Sequence, residues 1–184
     1  MGDVNQDGRT DIVVMSGQSY AYNNLGILLQ NASGTFDAPV YYDLGGNELT
    51  SGVAVGDINH DTWQDVVVTY GGNSPSSFIA AFQQNSSATL EAPVSHSSYD
   101  IPESTAIADM NNDGRGDVVV LHGGWNRVGV YSQQADGTLG SEVLYPIPYA
   151  SHYNPHGLAL GDLNGDGSND IAIADYNNGL VLLY

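Results

Sequence analysis

Four stretches of this chain carry carboxylate and amide oxygens at one repeated spacing. Each reads Asp-x-Asn-x-Asp-x-x-x-Asp: Asp3, Asn5, Asp7 and Asp11; Asp57, Asn59, Asp61 and Asp65; Asp109, Asn111, Asp113 and Asp117; Asp162, Asn164, Asp166 and Asp170. Oxygens at positions one, three and five converge when the backbone coils tightly around a cation, as in the loops of calcium-binding hands. Position six then needs glycine for the sharp turn. Position seven offers its backbone carbonyl, here from Arg9, Trp63, Arg115 and Ser168. The aspartate at position nine closes the set. Hard oxygens without histidine or cysteine favour calcium over zinc. The ligand number suits calcium better than magnesium, which keeps more of its water. The expectation is up to four bound Ca2+ ions. The second loop should hold its ion most weakly, because Thr62 stands where the others have Gly8, Gly114 and Gly167, and a Cβ strains that turn.

Little else in the chain is arranged for catalysis. There is no cysteine, which excludes disulfides, thiolate metal sites and cysteine nucleophiles. No nucleophile elbow and no phosphate-cradling glycine motif is present. The glutamates at 48, 91, 103 and 142 are scattered, with no pair placed as acid and base for glycoside cleavage. Arg115-Gly116-Asp117 spells a tripeptide used in cell adhesion, but Asp117 already closes the third loop. A second group of candidates is aromatic. Tyr20, Tyr22, Trp125, His152, Tyr153, His156 and Tyr176 stand in the longer, more varied loops beside polar neighbours. Such rings can stack on sugars or grip a peptide; packing between sheets is the plainer role. His152 and His156, which flank Tyr153, read either as loop hydrogen-bonders or as a catalytic or metal-binding pair.

These groups belong to a chain of 184 residues with 21 acids, 3 basic residues and a formal charge of −18. That balance argues against nucleic acid and anionic membranes as partners, since both select basic patches. No apolar run approaches the roughly 18 residues of a membrane span, so no membrane insertion is expected. Asp outnumbers Glu 17 to 4, a bias that points to turns and short-armed metal ligation rather than a solvated acidic surface. Hydrophobic residues make up 41%, enough for a sizeable core.

The elements that must position the Asp loops follow from the repeat. The first aspartates stand at 3, 57, 109 and 162, a period of 52 to 54 residues, which marks one supersecondary unit repeated. Each loop sits between short apolar or β-branched runs, such as Val66 to Val68 after the second loop and Val118 to Val120 after the third. A third run follows a Gly/Asn-rich turn, and a fourth follows turns such as that before Phe36. Runs of this length with turn chemistry between them are strands, and no window carries a helical period. Four strands in about 50 residues are the sequence signature of a β-propeller blade. The expected fold is therefore all-β. Repeats near 1–51, 52–103, 104–156 and 157–184 give about 3.5 to 4 blades of antiparallel strands, fourteen strands in groups of three, four, four and three. The first repeat begins after its first strand and the last ends after its third. This predicts either a segment of a longer propeller or a protomer that completes its ring with another copy, hence a homo-oligomer.

The unit Gly-Asp-[Ile/Val/Leu]-Asn-x-Asp-Gly-x-x-Asp-[Ile/Val], followed by a Gly-x-[Ile/Val] strand and a Gly-Thr-Phe-Asp-Ala-Pro turn at residues 34–39, resembles the FG-GAP (VCBS) repeat of integrin α-subunit propellers and many bacterial secreted proteins. The resemblance covers nearly the whole chain. It implies a β-propeller with calcium in the hairpin loops, and it leaves the ligand open, because such blades serve adhesion proteins, lectins and enzyme accessory domains alike. The function expected is a calcium-stabilised, non-catalytic binding module of a secreted or cell-surface protein, with a glycan or a protein as ligand. The alternatives are the propeller portion of an extracellular polysaccharide lyase or hydrolase, and a purely structural scaffold.

Overall fold

The apolar runs become strands and the Asp motifs become the hairpin turns between them. In a computed structural model of the chain, residues 1–16, 24–44, 50–73, 75–148 and 155–184 are described; they hold fourteen strands and no helix. The first sheet contains β1 (Ile12–Ser16), β2 (Asn24–Leu28) and β3 (Val40–Asp43). The second contains β4 (Thr50–Gly56), β5 (Asp65–Gly71), β6 (Ser77–Phe82) and β7 (Val94–Ser97). The third contains β8 (Pro102–Ala108), β9 (Asp117–His122), β10 (Arg127–Tyr131) and β11 (Val143–Pro146). The fourth contains β12 (Pro155–Gly161), β13 (Asp170–Asp175) and β14 (Gly179–Leu183). All neighbours within a sheet are antiparallel and follow sequence order, the meander of a propeller blade.

The unbroken valine runs have a simple cause. A strand whose two faces are both covered needs apolar residues at every position, not at alternate ones. Val66 and Val68 of β5 point into a core shared with Val13, Leu25 and Ile27 of the first sheet. Val67, between them, points the other way, into a core with Val118 and Val120 of β9. Val119 and Leu121 of β9 face Ile171 and Ile173 of β13. Three cores thus lie between four sheets, and every second residue of a central strand serves a different core. In each case the second residue after the closing aspartate packs towards the following sheet. The first and third pack towards the preceding one.

The leading strands β4, β8 and β12 lie side by side, β4 against β8 and β8 against β12, while β1, the counterpart of the central strands, meets β4. Gly52 permits the close approach of β4 to β8, since a Cβ there would meet the Glu103 carbonyl and the Thr69 hydroxyl. Thr69 Oγ1 instead donates to that carbonyl at 2.6 Å. The outer strands β3, β7 and β11 are mostly exposed and shorter than the sequence runs suggest. Phe36, Leu90 and Leu139 each make a single bridge, to Gln30, Gln84 and Gln133, and the strand proper begins four residues later. Pro39 and Pro93 offer no N–H to the ladder there, and the third sheet has the same gap with Glu142 in that place.

Candidate functional site

The four Asp motifs all lie in the hairpins that lead into the central strands, and they close on the same hydrogen bonds. The position-one carboxylate accepts from the position-six N–H: Gly8 to Asp3 at 2.8 Å, Thr62 to Asp57 at 2.8 Å, Gly114 to Asp109 at 2.7 Å and Gly167 to Asp162 at 3.0 Å. The position-five carboxylate accepts from the position-seven N–H of Arg9, Trp63, Arg115 and Ser168. Two residues per loop adopt positive φ, at positions four and six. These are Gln6 and Gly8, His60 and Thr62, Asn112 and Gly114, Gly165 and Gly167. The sequence shows the demand at position six; position four carries no consistent residue type and is visible only in the fold.

In loops one, three and four, the Oδ1 atoms of positions one and three both accept from one N–H, that of Asp7, Asp113 and Asp166, at 2.8–3.1 Å. A carboxylate oxygen and an amide oxygen therefore sit together. In loop two, Asp57 Oδ1 takes the His60 N–H at 2.6 Å instead, and only Asn59 reaches the Asp61 N–H. The loop with Thr62 is thus the one in which positions one and three do not share that N–H. Thr62 itself has φ of 74°, a left-handed conformation that costs a β-branched residue about 1–2 kcal/mol. Thr62→Gly should stabilise the protein by about 1 kcal/mol, raising Tm by roughly 2–4 °C in calorimetry. An unchanged or lower Tm would show that the turn is not strained.

The position-nine aspartates do more than close a ligand set. Asp11, Asp65, Asp117 and Asp170 are buried. Each accepts the N–H of position two, at 2.9–3.0 Å, from Val4, Ile58, Met110 and Leu163. Asp11, Asp65 and Asp117 also accept the N–H of Gln30, Gln84 and Gln133 at the end of the next strand, at 2.8–2.9 Å. One carboxylate therefore staples three segments. Burial pushes the Asp65 carboxyl up to about 6, with the charges of Asp61 and Asp57 adding and the N–H groups of Gln84 and Ile58 opposing. Asp117 is raised for the same reasons. Asp109 is held low by its backbone N–H partners, against burial. Asp166 is held low by the Ser168 N–H and the Asn164 amide. Because Asp117 is buried and doubly bonded, the Arg115-Gly116-Asp117 tripeptide is not displayed.

Two of the three basic residues of the chain serve these loops identically. Arg9 pairs through Nη2 with Asp7 and donates from Nε to the Gln30 carbonyl at 2.7 Å. Arg115 pairs with Asp113 and donates to the Gln133 carbonyl at 3.1 Å. Loops two and four have Trp63 and Ser168 there and carry no such internal cation.

Among the described residues, no three carboxylate or imidazole groups form a preformed metal cage. Each loop is closed on its own N–H groups. The donors are nonetheless hard oxygens, each with a second acceptor direction beyond its hydrogen bond, and in three loops two of them already converge. The residues fit a calcium ion in donor chemistry.

The aromatic candidates divide. Tyr20, Tyr22, His152 and Tyr153 lie outside the described residues, and of His156 only the backbone, in β12, is described. Trp125 stands in the turn between β9 and β10, and Tyr176 in the turn between β13 and β14, on the sheet edge opposite the Asp loops. Both are exposed. Trp125 meets Tyr99 edge-on at 6.4 Å, and Tyr99 meets His122 at 5.6 Å. His122 is buried; its Nδ1 lies 3.0 Å from the Asp100 carbonyl and its Nε2 2.7 Å from Glu142 Oε1. Glu142 Oε2 accepts the Tyr99 N–H at 2.6 Å. Gly129 makes room for this reach, because a Cβ there would collide with the Glu142 carboxylate. Sequence reasoning left Tyr99, His122 and Glu142 out. One signal existed: Glu142 stands where the first two repeats have Pro39 and Pro93. A cavity of about 400 Å³ opens between the third and fourth sheets beside Met110, Asn111 and Tyr145, and neither Trp125 nor Tyr176 lines it.

The comparisons agree with this architecture. A family profile described as FG-GAP-like repeat matches residues 3–68, 59–120 and 109–173, each match running from one Asp loop to the next central strand. Among curated proteins none matches the chain. Among solved structures, a chain of the Photorhabdus luminescens Tc holotoxin pore is similar over 95% of this chain, with a TM-score of 0.52 and 13% identity. This chain spans 8% of that one, so the likeness is one of fold. With four sheets in one repeated register and family matches that together run from residue 3 to 173, the chain belongs to the FG-GAP-like repeat family.

Proposed function

We propose that this segment is a calcium-stabilised, non-catalytic binding module of a secreted or cell-surface protein, with a glycan or another protein as its ligand. The observation that supports it is a division of labour between two edges. Hard oxygens cluster in the hairpins of one edge, and exposed aromatic rings, Trp125 and Tyr176, stand at the other. Calcium would be held by the side chains of positions one, three, five and nine and by the carbonyls of Arg9, Arg115 and Ser168, with loop two, through the Trp63 carbonyl, the weakest. When bound, it would supply the positive charge that the clustered carboxylates lack. Its role is to brace the hairpins. Millimolar extracellular calcium fills loops of moderate affinity, which cytosolic levels leave empty, and this supports the extracellular placement.

Aromatic rings beside polar loop residues suit the apolar faces of sugars and the side chains of a protein partner. A glycan and protein array probed with the calcium-loaded protein tests the reading. Binding that falls at least tenfold in Trp125→Ala or Tyr176→Ala, with Tm unchanged, supports it. Binding that ignores both substitutions refutes this edge as the site. Turnover of a polysaccharide panel would instead favour a catalytic propeller, and silence across both arrays a scaffold.

A further inference from the structure

We infer that Asn164, in the fourth Asp loop, is a site of spontaneous chemical modification, where the side-chain amide is lost and aspartate or isoaspartate takes its place. The four loops hold their position-three asparagine in one posture. Its side-chain oxygen accepts the N–H two residues on, from Asp7, Asp61, Asp113 and Asp166, at 2.8–3.1 Å. That bond closes a ring that contains the position-four nitrogen, so the carboxamide is curled over the peptide that could attack it. What differs is the residue carrying that nitrogen. Position four is Gln6, His60 and Asn112 in the first three loops and Gly165 in the fourth. A side chain there crowds the five-membered imide that must form, and glycine has none.

Two further features favour loop four. The Gly165 N–H donates to Asp162 Oδ1 at 2.6 Å, so a carboxylate already draws on the proton that this nitrogen must shed. The His60 N–H meets Asp57 in the same way, but with a side chain in the path. Loop four also has Ser168 where loops one and three carry the arginines that pair with Asp7 and Asp113, so it is freer to make the small backbone shift that bond formation needs. Both Asn164 and Gly165 are exposed to water. The step then balances with water as the sole reagent. The Gly165 nitrogen bonds to Asn164 Cγ, the Cγ–Nδ2 bond breaks, and the NH2 group leaves as ammonia with the Gly165 proton. Water opens the imide at one of its two carbonyls. One opening gives aspartate; the other gives isoaspartate, in which the main chain runs through the side-chain carbon. Either product sets a further carboxylate beside Asp162 and Asp166. Isoaspartate also lengthens the backbone between positions three and four, so the bonds from Gly167 to Asp162 and from Ser168 to Asp166 lose their register. The change is irreversible and disables one loop of four.

The repeat supplies the controls for the test. The whole chain is incubated in EDTA at neutral pH and mapped by peptide mass spectrometry, with an isoaspartyl methyltransferase assay to tell the two products apart. Asn164 should convert at least about tenfold faster than Asn5, Asn59 and Asn111, the factor given by about 1.4 kcal/mol of activation free energy. Gly165→Asn brings in the residue that loop three holds at this place with φ of 60°; asparagine tolerates that conformation, so the turn is kept. It should slow the reaction at Asn164 by a similar factor. Gln6→Gly should transfer the reaction to Asn5. Asn178-Gly179, in the turn between β13 and β14, shows whether the conditions allow this chemistry. An Asn164 that stays intact while Asn178 converts overturns the assignment. So does an Asn164 that reacts no faster than the other three loop asparagines, or a Gly165→Asn protein that reacts as fast as wild type. None of these outcomes depends on calcium or on the aromatic edge.

Discussion

Stripping calcium from the protein with EDTA will lower its melting temperature by more than about 10 °C, and millimolar calcium will restore it. The size follows from linkage: an ion present at a hundredfold excess over its Kd adds about 2.7 kcal/mol per site, and each kcal/mol moves Tm by roughly 2–4 °C in a chain of this length. Three loops bring two oxygens onto one N–H, so three sites should contribute and loop two should lag. The loops also differ in what they do without metal. Loops one and three carry Arg9 and Arg115 against Asp7 and Asp113; loop four has Ser168 and no internal cation. Metal-free, loops two and four should be the first to loosen, and hydrogen exchange at the Thr62 and Gly167 N–H groups should report it. Arg115→Gln sharpens the test. These pairs are partly exposed, so its removal should cost under about 1 kcal/mol without metal, while calcium, freed of a competing guanidinium, should bind loop three more tightly. If EDTA leaves Tm unchanged, the Asp motifs are hydrogen-bonded turns and the calcium reading fails. If calcium stabilises the wild type and Arg115→Gln alike, only the role of the arginine fails.

How much of this was legible beforehand depended on whether a feature repeats. The sheets were readable because the runs around Val66 to Val68 and Val118 to Val120 recur at one period, and two-sided burial explains why those runs do not alternate. Thr62 could be singled out because three other loops show what its position requires, and its φ of 74° bears that out. The double duty of Asp65 and Asp117 was hidden, because a ligand and a backbone staple ask for the same residue at the same place. Position four was hidden because glutamine, histidine, asparagine and glycine all occupy it. What occurs once was least visible. Glu142 reads in the sequence as a stray acid near a strand end, and nothing local announces that it crosses Gly129 to reach His122, twenty residues earlier.

That single contact carries the other large expected effect. Glu142→Ala should destabilise the protein by about 3 kcal/mol, the cost of leaving its buried hydrogen-bond partners unpaired. His122 is 0% exposed and its partner nearly as buried. The Asp100 carbonyl can only accept, so Nδ1 carries a proton, and Nε2 shares another with Glu142 Oε1. Removing the carboxylate strands Nε2 and the Tyr99 N–H together, in an interior where each buried unpaired group costs about 1–3 kcal/mol. The pair also ties the link between the second and third sheets, through Tyr99 and Asp100, to the outer part of the third. Its loss should therefore loosen Trp125, which rests edge-on against Tyr99. Tryptophan fluorescence should then shift to the red along with a Tm drop of roughly 6–12 °C. Glu142→Gln separates charge from hydrogen bonding. Its amide oxygen can still accept the Tyr99 N–H while its NH2 donates to a neutral imidazole, so a loss near 1 kcal/mol is expected. Equal losses in the two variants would make the ionic component dominant. A Glu142→Ala protein as stable as wild type would mean that water reaches His122 and that the link between the sheets rests on apolar packing alone.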